Sequence, residues 1–146
     1  MEFPYDITNR MEKKTFYISG PMTGIDNNNA QEFNNAACIL TELGHDYVNP
    51  FDFDLSDPIP VLDKYDKGYF DNLRRDIAAL TKCDALLMLK GWEVSYGARA
   101  EFVVAKELQL PVFRLAKQPD ESYGLVPVQS IFVLRMDHLL PSVYWK

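Results

Sequence analysis

The chain has little of what several protein classes depend on. It holds only two cysteines, Cys38 and Cys83, too few for a disulfide framework, so both read as buried thiols of a reducing compartment. Its two histidines, His45 and His138, stand far apart, and there is no Cys-x-x-Cys pair. No metal-ligand spacing results, and no metal is expected. No stretch approaches the roughly 20 apolar residues of a membrane span, and the first ten residues lack the apolar run of a signal peptide. The expected location is the cytoplasm, with no membrane partner. Basic residues number 15 against 21 acidic ones, a net charge of −6, which disfavours a nucleic-acid polymer as the main partner. Small anions remain open, because a helix N-terminus binds them locally against the overall charge.

What is present is ordinary globular material. Apolar residues make up 47% and charged residues 25% of 146, enough for a full core in one domain spanning residues 1–146. Strands and helices alternate along it. Lys14 to Ser19 is a β-branched and aromatic strand leading into the turn-forming loop Gly20-Pro21-Met22-Thr23-Gly24. A helix starts near Asn29, with Phe33, Ala37, Leu40 and Leu43 at helical spacing, and stops at Gly44. His45 to Asn49 is a short strand. Phe51 to Lys67 reads as a long acidic loop, a solvated surface or a lid. A second helix covers about Tyr69 to Thr81, Asp84 to Leu89 is a buried strand, and Val112 to Leu115 a further one. Val126 to Leu134 fits either a strand or the start of a helix.

This alternation predicts a flavodoxin-like or Rossmann-like three-layer sandwich, with a central parallel sheet of four to five strands. Its core is expected over about 14–115, with 116–146 docking on it or forming an oligomer contact. In such sheets ligands collect beyond the carboxyl ends of the strands. The Ser19–Gly24 and Lys90–Gly97 loops should therefore open on one crevice. The first is neither a Walker loop nor Gly-x-Gly-x-x-Gly, and by itself it reads as a plain tight turn rather than a phosphate loop.

The helix after that crevice, from about Ala98 through Ala105, is apolar on most sides yet contains Glu101. Gly97 and Ala105 occupy the positions four residues away, so no helical ion pair explains it. Glu101 is then either a poorly solvated acid suited to chemistry or a helix-edge residue that reaches solvent. Asp76 completes a helical set with Leu73, Ile77 and Leu80 and so borders a buried stripe. Its plain alternative is a helix-edge acid paired with Arg74 or Arg75. Trp92 and Tyr96 flank the crevice loop, where an aromatic can stack on a base or simply pack.

Tyr17-Ile-Ser-Gly-Pro-Met-Thr-Gly24, Arg75-Asp76-Ile77 with Cys83-Asp84-Ala85, and Ser95-x-Gly97-x-x-x-Glu101 follow one another as in the nucleoside 2-deoxyribosyltransferase-like superfamily. The chain resembles that superfamily over about Phe16 to Leu115. Its members include 2-deoxyribosyltransferases and nucleoside 5′-monophosphate N-glycosidases, and similar small domains occur in bacteriophage genomes, where the location would be the host cytoplasm. The resemblance implies a flavodoxin-like fold without cofactor. It makes Glu101 the glycosyl nucleophile, Tyr17 the residue positioning it or the sugar, and Asp76 a neighbour of base and sugar. Residues expected at the substrate are Ser19, Gly20, Met22, Thr23, Gly24, Trp92, Ser95, Gly97 and Arg99.

Ser95 steers the choice within the family. Transferases of the superfamily tend to carry aspartate there for a free 5′-hydroxyl, whereas the monophosphate hydrolases carry serine, which suits a phosphate at a helix start. Pro21 and Thr23 depart from the serine and arginine that the hydrolases often place in the first loop. The expected function is thus a nucleotide N-glycosidase. Alternatives are a base-exchanging 2-deoxyribosyltransferase and, from another class, a nucleotide-binding protein without turnover. The apolar Val143-Tyr-Trp-Lys146 end suggests a homo-oligomer contact or docking on the core.

Overall fold

The structure, a computed structural model, describes residues 11–53 and 67–128. It is an α/β three-layer sandwich around a five-stranded sheet. The strands are β1 (Thr15–Ser19), β2 (Asp46–Val48), β3 (Ala85–Met88), β4 (Val112–Lys117) and β5 (Tyr123–Pro127), joined by the helices α1 (Ala30–Glu42), α2 (Lys67–Leu80) and α3 (Tyr96–Glu107). The spatial order is β2-β1-β3-β4-β5, a flavodoxin-like arrangement whose strand order reverses between β1 and β3.

Side-chain alternation along β1 sorts the two cores. Phe16 and Ile18 face α1 and pack with Phe33, Ala36, Ala37 and Leu40. Tyr17 points the other way, toward the layer holding Leu80 of α2 and Ala98, Phe102 and Ala105 of α3. β3 behaves likewise: Leu87 belongs to the α1 side, Leu86 and Met88 to the α3 side. Parallel pairing sets Tyr17 beside Leu86 and Ser19 beside Met88, so Tyr17 and Ser19 share one face two residues apart.

Three expectations change. The sheet is mostly rather than wholly parallel, because β5 runs antiparallel to β4. Gln118 N–H donates to the Ser122 carbonyl and closes the connection as a tight turn, whereas a parallel return needs a dozen or more residues. β5 therefore begins at Tyr123, before the apolar run expected from Val126, and its Leu125 is buried. The early part of the 116–146 segment is thus built into the sheet; residues 129–146, with Val143–Lys146, lie outside the described residues. Finally, Cys38 is exposed while Cys83 is buried. Ala37 and Leu40 face the core, and Cys38 turns about 100° away from Ala37 round the helix.

The elements otherwise fall within a few residues of their expected positions, β4 running on to Lys117. Of the acidic loop, Phe51 sits edge-to-face on Phe33 at 5.2 Å, and residues 54–66 lie outside the described set. No helix among the described residues is long and apolar enough to cross a membrane.

Candidate active site

A cleft of about 1080 Å³ opens at the carboxyl ends of β1 and β3, the switch point of the sheet. One wall is the loop after β1, with Gly20, Met22 and Thr23; α2 contributes Asp76, and the start of α3 contributes Ser95 and Gly97. Tyr17 and Glu101 form its floor.

Glu101 follows Ala98 by one helical turn and precedes Phe102 and Ala105, all on the sheet-facing side of α3. That placement settles the choice left by its sequence: the residue is 5% exposed. Both carboxylate oxygens accept hydrogen bonds from β1. The Tyr17 hydroxyl donates to Oε2 at 2.7 Å and the Ser19 hydroxyl to Oε1 at 2.6 Å. Burial raises the Glu101 pKa from 4.5 to about 7, against the opposing pull of the two hydroxyls, with the nearby Asp76 adding to the rise. Burial, then the charges of Glu101 and Asp76, push the Tyr17 phenol well above its ordinary value. It therefore stays a donor at any moderate pH.

Asp76 on α2 is half-buried and lines the cleft. Burial raises its pKa from 3.8 to about 6, partly offset by Arg75. Arg74, one of its expected partners, pairs with Asp71 at 2.7 Å. Two carboxyl groups that titrate near neutrality thus share one cleft, an arrangement suited to acid–base and nucleophilic work.

The start of α3 is prepared for an anion. Ser95 adopts extended backbone and caps the helix, its Oγ accepting the Ala98 N–H at 3.3 Å. Ser95 and Gly97, at this helix start, both line the cleft, and the positive end of a helix dipole favours an anion there.

Four expected site residues lie elsewhere. Ser19 is 1% exposed and does not line the cleft; it holds Glu101 instead. Gly24 is a turn residue at φ +81, a backbone region that favours glycine, and is not in the lining. Trp92 is buried and stacks on Phe102 with centroids 4.7 Å apart, which makes it packing for α3. Arg99, next round the helix from the buried Ala98, is also outside the lining. Of the two flanking aromatics, Tyr96 is the one at the cleft, 56% exposed. Gly20 has a packing reason: a Cβ there would stand 2.8 Å from the Leu89 Cβ, so glycine lets the β1 loop close on the end of β3.

Sequence reasoning missed two other parts of the wall. Asn27, Asn28 and Asn29 adopt left-handed φ of 51, 53 and 70 in succession, and the last two line the cleft with Glu32. The Asn29 amide donates to the Pro21 carbonyl at 2.9 Å, tying this turn to the β1 loop. The signal was the asparagine run, since asparagine tolerates that conformation better than other side chains. The second omission is Lys90, which follows β3. Among the described lining residues it is the cation, in a cleft that also holds Glu32, Asp76 and Glu101. Its position at a strand's carboxyl end could have flagged it.

No group of three or more His, Cys, Asp or Glu side chains capable of holding a metal occurs among the described residues. A family model described as a domain of unknown function (DUF4406) matches residues 14–114, and the chain belongs to that family. No curated protein matches the sequence.

Proposed function

We propose that this DUF4406 member is an N-glycosidase that hydrolyses a (deoxy)nucleoside 5′-monophosphate to free base and (deoxy)ribose 5-phosphate. The observation that carries this reading is Glu101, buried at the cleft floor with both oxygens held by hydroxyls and with a second carboxyl, Asp76, in the same cleft. The superfamily resemblance supplies the reaction class, and the chemistry of the groups agrees with it.

In the first step a Glu101 oxygen bonds to C1′ as the C1′–N bond breaks. The bonding pair leaves with the base nitrogen, which takes a proton from Asp76. In the second step water attacks C1′ and gives its proton to the Asp76 carboxylate. The Glu101–C1′ bond then breaks and returns the carboxylate, so that configuration at C1′ is retained. Oxocarbenium character at C1′ in both steps is stabilised by the carboxylate beneath it. The 5′-phosphate would lie against the Ser95 hydroxyl at the positive end of the α3 dipole, with Lys90 supplying the positive charge that the first loop lacks.

Base release should therefore be ten- to a hundredfold faster from monophosphates than from the matching nucleosides, the effect of roughly 1.5–3 kcal/mol from a charge-assisted contact. The test is a panel of ribo- and deoxynucleotides and their nucleosides, assayed for free base with and without an excess of a second base. Equal rates on nucleotide and nucleoside would remove the phosphate from the reading. Accumulation of the exchanged nucleotide, in preference to free sugar phosphate, would make the protein a transferase. Tight nucleotide binding with no base released would make it a binding protein.

A further inference from the structure

We propose that Ser19 is a positioning residue for Glu101: its hydroxyl holds one carboxylate oxygen while that of Tyr17 holds the other, so that the carboxylate is fixed in one plane for attack on the sugar. This rests on the reading of Glu101 as nucleophile and assigns to Ser19 a role other than substrate contact.

Each oxygen has its own donor. Tyr17 lines the cleft and Ser19 does not, although both hydroxyls reach the same carboxylate, at 2.7 and 2.6 Å. Oε2 is thus held by Tyr17 and Oε1 by Ser19, two donors from one strand on the two oxygens. Rotation about the last torsion of a glutamate is soft and roughly two-fold. One donor leaves the carboxylate plane free to swing about that contact, whereas donors on both oxygens fix it. Packing does not account for the hydroxyl. Ser19 sits on the sheet face that otherwise presents Tyr17, Leu86, Met88 and Val112, where an alanine methyl would serve as well. A serine has a single hydroxyl hydrogen, and here it is directed at Glu101.

The same contact acts on charge. A donor to a carboxylate favours its ionised form, which opposes the burial of Glu101 and keeps the group usable near neutral pH. It also stabilises the carboxylate as it departs from C1′ in the second step. The titratable groups facing Glu101 are Tyr17 from β1 and Asp76 from α2. From β3 the neighbouring layer contributes the apolar Leu86 and Met88, so Ser19 is the neutral adjustable member of the set.

The experiment follows the Glu101 carboxyl directly, by NMR of isotope-labelled glutamate side chains in the full-length chain, with the resonance assigned by its loss in Glu101→Gln. In Ser19→Ala the Glu101 midpoint should rise by about one pH unit or more, the size of a lost hydrogen bond to a charged group. Because the reaction needs Glu101 ionised while Asp76, with the lower pKa, is still protonated, the upper limb of the kcat/KM profile for base release, near 7, should move up by the same amount and the lower limb, near 6, should stay. Ser19→Thr, which keeps the hydroxyl, should restore both. An unchanged midpoint in Ser19→Ala, with base still released at the wild-type rate, overturns the positioning role and leaves the N-glycosidase reading intact. A midpoint that moves in a protein that releases no base from any nucleotide overturns the nucleophile reading, and with it this role, while the Ser19–Glu101 bond stands.

Discussion

Glu101→Gln is expected to abolish base release while making the protein more stable above neutral pH. The amide is nearly isosteric but cannot form a glycosyl bond as a carboxylate does, and loss of the nucleophile should cost several kcal/mol of barrier, at least about a thousandfold in rate. Retention of more than about a tenth of the wild-type rate would falsify the nucleophile assignment. The stability gain follows from the raised pKa. In the folded chain Glu101 holds its proton up to about 7, against 4.5 ordinarily, so between those values the folded state binds more protons than the unfolded one. Stability therefore falls as pH rises from about 4.5 to about 7 and stays low above that window. The shift corresponds to at most about 3 kcal/mol of destabilisation by the buried charge. Removing the charge should raise Tm by several degrees at alkaline pH, and the gain should vanish in acid. Thermal unfolding of both proteins across the pH range measures this, and a gain independent of pH would sink it.

Asp76→Asn should lower kcat/KM by roughly a hundred- to ten-thousandfold, the usual effect of losing a general acid–base group, and it should change the shape of the pH profile. The wild-type reaction needs Glu101 ionised and Asp76 protonated. With pKa values of about 7 and about 6, the productive form is a minor one, most populated between them. The profile should be a bell with limbs near those values, which belong to the pair because the Asp76 charge raises the Glu101 pKa. Without Asp76 the alkaline fall disappears: the residual rate rises with pH and levels off. Its midpoint should lie no higher than about 7, since the Asp76 charge contributes to the Glu101 rise. Rates of Asp76→Asn that still decline above neutrality would assign the alkaline limb to another group.

Much of this arrangement was legible in one dimension because it depends on local period and on chain order. The 3.6-residue spacing of Phe33, Ala37 and Leu40, and of Leu73, Ile77 and Leu80, gave two of the helices and put Asp76 at the border of a buried stripe. The apolar surroundings of Glu101 in α3 marked it as anomalous, and alternation of strand and helix implied a crevice shared by two loops. The antiparallel β5 escaped because Val126 to Leu134 has no decisive period. Its direction depends on the tight Gln118–Ser122 turn, which a composition reading treats as any polar loop.

The sequence by itself determined the sandwich, the place of the crevice and the identity of its two unusual acids, since hydrophobic period and connection length suffice for these. The tertiary structure decided which neighbours those acids meet. Residues 17 and 19 lie more than eighty positions from Glu101, and only parallel pairing of β1 with β3, under α3, turns both hydroxyls onto one carboxylate. It likewise sent Trp92 into the core and left Tyr96 at the cleft, although the two flank the same loop. Such choices turn on a half-period of a strand or a hundred degrees of a helix. Local sequence does not encode them, because the side that faces the core is set by what the rest of the chain packs against it.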